Sequence, residues 1–180
     1  MLFVNSLAVL ILYMSDISTS KTNIDKRYTI ENDENVIRLL SFPSCLDSRG
    51  RLNPVAFSLY HSNEDYVSIS RLFYSSKDEC IELGWKIKVW PNKEDVFAGL
   101  AELNAGEIRK ISSTQILLAS KYEEKFKAHA GISFKDEDGV IYINKEKGTP
   151  TPKWIIPFQQ RLCLISKVEK IDLKKHSSSL

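Results

Sequence analysis

Apolar and polar positions change places over short distances along most of this chain, at strand length more often than at helix length. The stretch from Arg51 to Phe73 reads RLNPVAFSLYHSNEDYVSISRLF. Pro54 cannot donate to a ladder, so a strand is expected at or after it. Val55, Phe57 and Leu59 alternate with Ala56, Ser58 and Tyr60. His61 to Asp65 is a turn by composition, and Tyr66 to Leu72 resumes the alternation, which predicts an antiparallel hairpin with a long loop. Val67 and Ile69 fall on one face of the second strand, Ser68 and Ser70 on the other, and Arg71 is next on the first face.

Around this stretch the same reasoning predicts further elements. Val36 to Phe42 (VIRLLSF), bounded by Pro43, reads as a buried strand. Ser76 and Glu79 have capping-box spacing, predicting a helix from Lys77 to Leu83 that stops at Gly84. Trp85 to Trp90 (WKIKVW) alternates as a strand. Val96 to Leu103 suits either strand or helix. Asn104 caps a short helix from Ala105 to Ile111, and Gln115 to Ala119 and His129 to Phe134 read as strands. Asp138-Gly139 signals a hairpin whose return strand is Val140 to Ile143. Pro157 opens a helix expected to run to about Lys170, with Phe158, Leu162, Ile165 and Val168 as its buried stripe. The pattern as a whole predicts an α+β fold: a mostly antiparallel sheet, a few short helices and a C-terminal helix.

The ends read differently. Met1 to Tyr13 is almost wholly apolar but shorter than the roughly 20 residues that span a bilayer. It lacks a basic residue before the apolar run and a small-residue cleavage site after it, so a start at Met14 is favoured over an export signal. Residues 1–35 are expected to be this apolar segment plus a flexible polar lead-in, 36–170 a single domain, and 171–180 a disordered tail. The expected location is cytoplasmic, with export the alternative if residues 1–13 are a signal.

Composition narrows the function only slightly. The chain has 180 residues, 43% hydrophobic and 27% charged, enough for one domain with a core. A net charge of +2 gives no specific nucleic-acid signal. The three cysteines, Cys45, Cys80 and Cys163, are far apart and lack zinc spacing, so no metal is expected and three reduced thiols are the simplest reading. One of them as a nucleophile is the alternative. Candidate site residues are fewer. Arg38 stands inside a buried strand, where a charge must be paired or functional. Ser68 and Ser70 put two hydroxyls side by side. His129 can gain and lose a proton near neutrality. His61 and His176 are expected in solvent, and Tyr60, Tyr66, Trp85 and Trp90 are candidate contacts for a partner protein.

Arg38, then Gly50-Arg51-Leu52-Asn53-Pro54-Val55-Ala56-Phe57, then Ser68 and Ser70, then Gly99 to Arg109 (GLAELNAGEIR) and His129-Ala130-Gly131-Ile132 follow one another along the chain. This order resembles that of a group of small bacterial proteins, some encoded near mobile elements or toxin–antitoxin loci. That resemblance covers roughly Val36 to Phe134 and implies a partner-protein-binding component of such a locus, or of a defence locus. Arg38 with Ser68 and Ser70 also resembles the Arg, Ser-x-Ser and Glu layout of ADP-ribosyltransferase-like folds. This implies an alternative: an enzyme using a nucleotide or NAD, with Arg38 on the phosphates and Glu102 or Glu107 as the carboxylate, although neither stands in that family's Glu-x-Glu or Gln-x-Glu pair. An Arg, Ser and His set suits a nuclease as well. No cofactor other than NAD under this alternative is implied. An enzyme requires Arg38, Ser70 and His129 to converge in one pocket. A binding module leaves them dispersed, with an exposed apolar patch elsewhere.

Overall fold

The computed structural model describes residues 25–87 and 93–171. Six strands form one antiparallel sheet in the order β4-β5-β2-β1-β3-β6. They are β1 (Asn35–Phe42), β2 (Val67–Arg71), β3 (Val96–Asn104), β4 (Ile116–Ser120), β5 (His129–Phe134) and β6 (Lys167–Lys170). Among the described residues three helices accompany them: α1 (Lys77–Lys86), α2 (Ala105–Ile111) and α3 (Ile156–Ile165). The α+β fold with a mainly antiparallel sheet is as expected. Of the three helices among the described residues, α3 is the most C-terminal.

β1 is the centre of the sheet because it is apolar toward both sides. Val36 and Leu40 enter the main core with Val67, Ile69, Leu103, Ile132 and Phe134, under α2, α3 and a 3-10 turn. Ile37 and Leu39 point the other way, to a smaller cluster with Cys80, Phe97 and Leu100 under α1. β1 pairs with β3 along its whole length, from Asn35 opposite Asn104 to Phe42 opposite Val96. Its ladder with β2 covers two pairs only, Val36 with Arg71 and Ile37 with Ser70. The two strands then part, and a cleft opens between them.

Several expectations are corrected. Pro54–Phe57 is a 3-10 turn, not a strand. The Asn53 side chain accepts from the Val55 amide and Pro54 supplies the fixed φ, so local capping overrides the alternation. β2 therefore pairs with β1 and β5 instead of a hairpin partner. α1 has the expected capping box but runs through Gly84 to Lys86. Gly84 is buried there for lack of a side chain: a Cβ would stand 2.4 Å from the Phe97 ring. Trp85 and Lys86 are thus helical, and 88–90 of the expected WKIKVW strand lie outside the described residues.

The last helix stops at Ile165, and Ser166 closes it by donating to Leu162 O at 2.6 Å. The chain then turns into β6, where Val168 faces Ala101 across the ladder and does not extend a helical stripe. Gly99 admits this strand, since a Cβ would lie 2.4 Å from Glu169 O. Val140 to Ile143 forms no strand. Asp136 caps the turn, accepting from the Asp138 and Val140 amides, with Gly139 at φ +80, and single bridges tie Ile141 to Lys135 and Asn144 to Glu64. Val96–Asn104 is a strand, the burial on both faces accounting for its unbroken apolar run.

Residues 25–34, expected to be a flexible lead-in, lie against the domain. Ile30 is in the core, and Arg109 reaches back to Ile30 O and Asn32 Oδ1, both at 2.6 Å. The main tie is Arg71, fully buried beside Glu34 in a two-pronged ion pair of 2.7 and 2.9 Å. Its guanidinium also donates to the carbonyls of Lys26, Arg27 and Thr29 and to Ser120 Oγ. Residues 1–24 and 172–180, with the expected apolar segment, Met14 and the tail including His176, lie outside the described residues. No helix among the described residues is long and apolar enough to cross a membrane.

Candidate functional site

Strand alternation sets the floor of the site. Ser68 and Ser70 face the α1 side of the sheet, and on β5 their ladder partners are Gly131 and His129. Ser68 Oγ lies 3.1 Å from His129 Nε2. Gly131 leaves room for the Tyr66 ring, which a Cβ would meet at 2.6 Å, and the ring stands edge-on to His129 with centroids 5.6 Å apart. α1 covers the β1 and β3 part of this face and leaves the β2 and β5 part open. Above the open part is a groove of about 570 Å³, with Tyr74, Glu79 and Leu83 on one side and Glu124 to His129 on the other. Ser68, Ser70 and Leu83 also line the cleft between β1 and β2, about 200 Å³, which ends at Arg38, Tyr60, His61 and Glu64. Groove and cleft thus share a floor.

Ser68, Ser70 and His129 are brought together as the enzyme reading requires. Arg38 shares the cleft with Ser68 and Ser70 but does not line the groove that holds His129. It points to the main-core side of the sheet, where Nε donates to Ala56 O and Nη1 to Ser68 O, both at 2.9 Å. In effect it bridges the strands where their ladder stops. Burial lowers its pKa from the ordinary arginine value, but the group stays cationic near neutrality. Nη2 makes no hydrogen bond among the described residues.

Burial also lowers the His129 pKa, with Lys121 acting in the same sense and Glu123 opposing. Both effects favour the neutral ring, and in the tautomer protonated at Nδ1 its Nε2 accepts from the Ser68 hydroxyl. Burial raises the Tyr60 phenol. His61, expected in solvent, instead lines the cleft, its backbone amide bound to Glu64 Oε2 at 2.8 Å. Glu102 is committed to Asn35 Nδ2 at 2.9 Å and Lys77 Nζ at 2.7 Å, and Glu107 pairs with Lys110 at 2.6 Å. Neither carboxylate faces the Ser–His pair, and the third element of the ADP-ribosyltransferase-like layout has no occupant among them.

The cysteines are free. Cys45 and Cys80 are buried, Cys163 is half-buried, and burial pushes the Cys163 thiol up to about 11. Burial raises Cys80 too, against the hydroxyls of Ser75 and Ser70. No cluster of three or more potential metal ligands occurs among the described residues.

Sequence reasoning passed over Arg71 and the groove wall. Arg71 carried a readable signal, because alternation puts it on the same inward face as Val67 and Ile69, where a charge needs a partner. Tyr74, Lys125 and Phe126 carried none, since only the fold brings the 121–128 loop beside α1. No family model, curated protein or solved structure matches the chain.

Proposed function

We propose that the groove over β2 and β5 binds a phosphate ester and that Ser68 and His129 are its reactive pair, a nuclease-like or nucleotide-using site. The single observation behind this reading is the 3.1 Å contact between Ser68 Oγ and His129 Nε2 at the floor of an open groove. In the simplest hydrolysis, His129 Nε2 takes a proton from a water held against Ser68. The water oxygen bonds to phosphorus, the bond from phosphorus to the leaving oxygen breaks, and His129 returns the proton to that oxygen. Lys125 and Lys127 at the rim supply positive charge for the phosphate.

The test is turnover of bis(p-nitrophenyl) phosphate by the purified full chain, beside a melting-temperature screen with NAD and nucleotides. General-base removal in His129→Ala should cost roughly 10² to 10⁴ in rate. Turnover that survives unchanged in both His129→Ala and Ser68→Ala, or none above buffer in the native chain, defeats the reading.

A second reading, a partner-binding component of a toxin–antitoxin, defence or mobile-element locus, draws on apolar side chains away from the groove. Leu164 is 84% exposed on α3, and Val140 is 62% exposed. Reconstitution with the purified product of a neighbouring gene, disrupted by Leu164→Glu, supports it. An unaltered complex in Leu164→Glu and Val140→Glu counts against it.

A further inference from the structure

We propose that the aromatic and cationic face beside the groove binds single-stranded nucleic acid by stacking bases on its rings. Three rings are exposed, and two of them, Tyr28 and Phe73, are joined through the half-buried Tyr74 and Tyr122. Tyr28 is 62%, Phe73 54% and Phe126 53% exposed. Phe73 meets Tyr74 at 4.9 Å between centroids, Tyr74 meets Tyr122 at 5.8 Å, and Tyr122 meets Tyr28 at 5.9 Å. Tyr74 and Phe126 also line the groove, so the face runs into it.

Cations accompany the rings. Lys26 Nζ lies 5.9 Å from the Phe73 centroid, Arg27 5.6 Å from Tyr28, Lys121 4.4 Å from Tyr66 and Lys125 5.5 Å from Phe126. Arg27 is held by Asp25, whereas Lys26, Lys121, Lys125 and Lys127 enter no ion pair among the described residues. Acids border the face as well: Glu123 and Glu124 in the loop, and Glu31 and Asp33 in the hollow beside Phe73, which set its limit. The buried Arg71 guanidinium lies 5.0 Å from the Tyr74 centroid and fixes the platform from beneath.

A ring with an ammonium beside it matches one nucleotide: the base has a π face for the ring, and the phosphate a charge for the lysine, which can leave the ring face for it. A purely apolar partner would leave the lysines unused, and a purely acidic one would leave the rings in water. The inference does not depend on the reaction proposed for the groove.

The test is fluorescence anisotropy of labelled oligo(dT) and oligo(U) of about 16 nucleotides, the upper site size of single-strand-binding folds, with the full chain at low salt. Three or four phosphate contacts predict a slope of log affinity on log salt of roughly −2 to −3. Phe126→Ala should weaken binding roughly 5- to 150-fold, and Lys121→Glu with Lys125→Glu should flatten the salt slope. Arg161→Ala, on the exposed side of α3, should bind as the native chain does. If Tyr74→Ala fails to fold, Phe126→Ala and the lysine reversals carry the test. No anisotropy change at low salt overturns the inference. So does binding indifferent to Phe126→Ala and matched by heparin, which is charge attraction alone, or a purified protein held on this face with no oligonucleotide bound. Phosphodiester turnover, measured separately, shows whether the Ser68–His129 reading stands or falls on its own.

Discussion

Removing the Glu34 carboxylate should destabilise this protein more than removing the whole ion pair. In Glu34→Ala the Arg71 guanidinium stays where it is, 1% exposed, and loses both carboxylate bonds. It keeps three backbone carbonyls and the Ser120 hydroxyl, dipoles that offset only part of a full charge. Breaking one partner out of a buried pair costs about 3–5 kcal/mol. For a domain of this size that is a fall in melting temperature of roughly 6–20 °C. In the double variant Glu34→Leu with Arg71→Met no charge is left in the interior, and the freed carbonyls of Lys26, Arg27 and Thr29 belong to exposed or half-exposed residues where water can reach them. The double variant should therefore be the more stable of the two. Urea titration with circular dichroism measures both, and an unchanged m-value assigns the difference to stability. A loss under about 1 kcal/mol in Glu34→Ala, or a double variant no more stable than the single one, refutes the argument.

Ser76→Ala removes the acceptor for the Glu79 amide at the start of α1 and should cost about 1 kcal/mol in the same titration. Gly99→Ala would set a methyl group 2.4 Å from the Glu169 carbonyl; β6 should detach, read as faster amide exchange at Lys167–Lys170 with β1 protection retained. The Cys163 thiol, at about 11, should be alkylated at pH 8 roughly two hundred-fold more slowly than an ordinary thiol of pKa about 8.5; labelling at the ordinary rate would contradict its burial. His129 has a lowered folded pKa, so between that value and its unfolded pKa of about 6.5 the unfolded chain binds more protons. Its contribution is complete above about pH 6.5 and is lost as pH falls through the folded pKa. Urea midpoints measured against pH should show that acid-side loss in the native chain and not in His129→Gln.

Much of the sheet could be read from the residues. β1, β2, β4 and β5 announce themselves by apolar runs or alternation, and the Ser76 and Asn104 caps mark two helix starts. The failures have local causes. Asn53 and Pro54 close a 3-10 turn that outbids the alternation of Val55 and Phe57. Gly84 reads as a stop but serves as a contact point for Phe97, so α1 continues. The stripe assigned to the last helix ran on to Val168 because periodicity over so few residues cannot distinguish a helix from a helix followed by a short edge strand. For the site, alternation put Ser68 and Ser70 on one face, but their approach to His129 depends on β2 pairing with β5. That pairing spans sixty residues and is not visible in any local pattern. Arg38 was rightly singled out as unusual, and its bonds are to backbone carbonyls.

The short seam between β1 and β2 gives the sheet the character of two panels, β6-β3-β1 and β2-β5-β4, riveted by Arg71 at the closed end and Arg38 at the open one. A molecule that spans from the Arg38 wall to the Ser68 floor grips both panels at once. Its binding energy then adds to the cohesion of the whole sheet, and occupancy of the cleft registers as resistance to unfolding in strands it never touches.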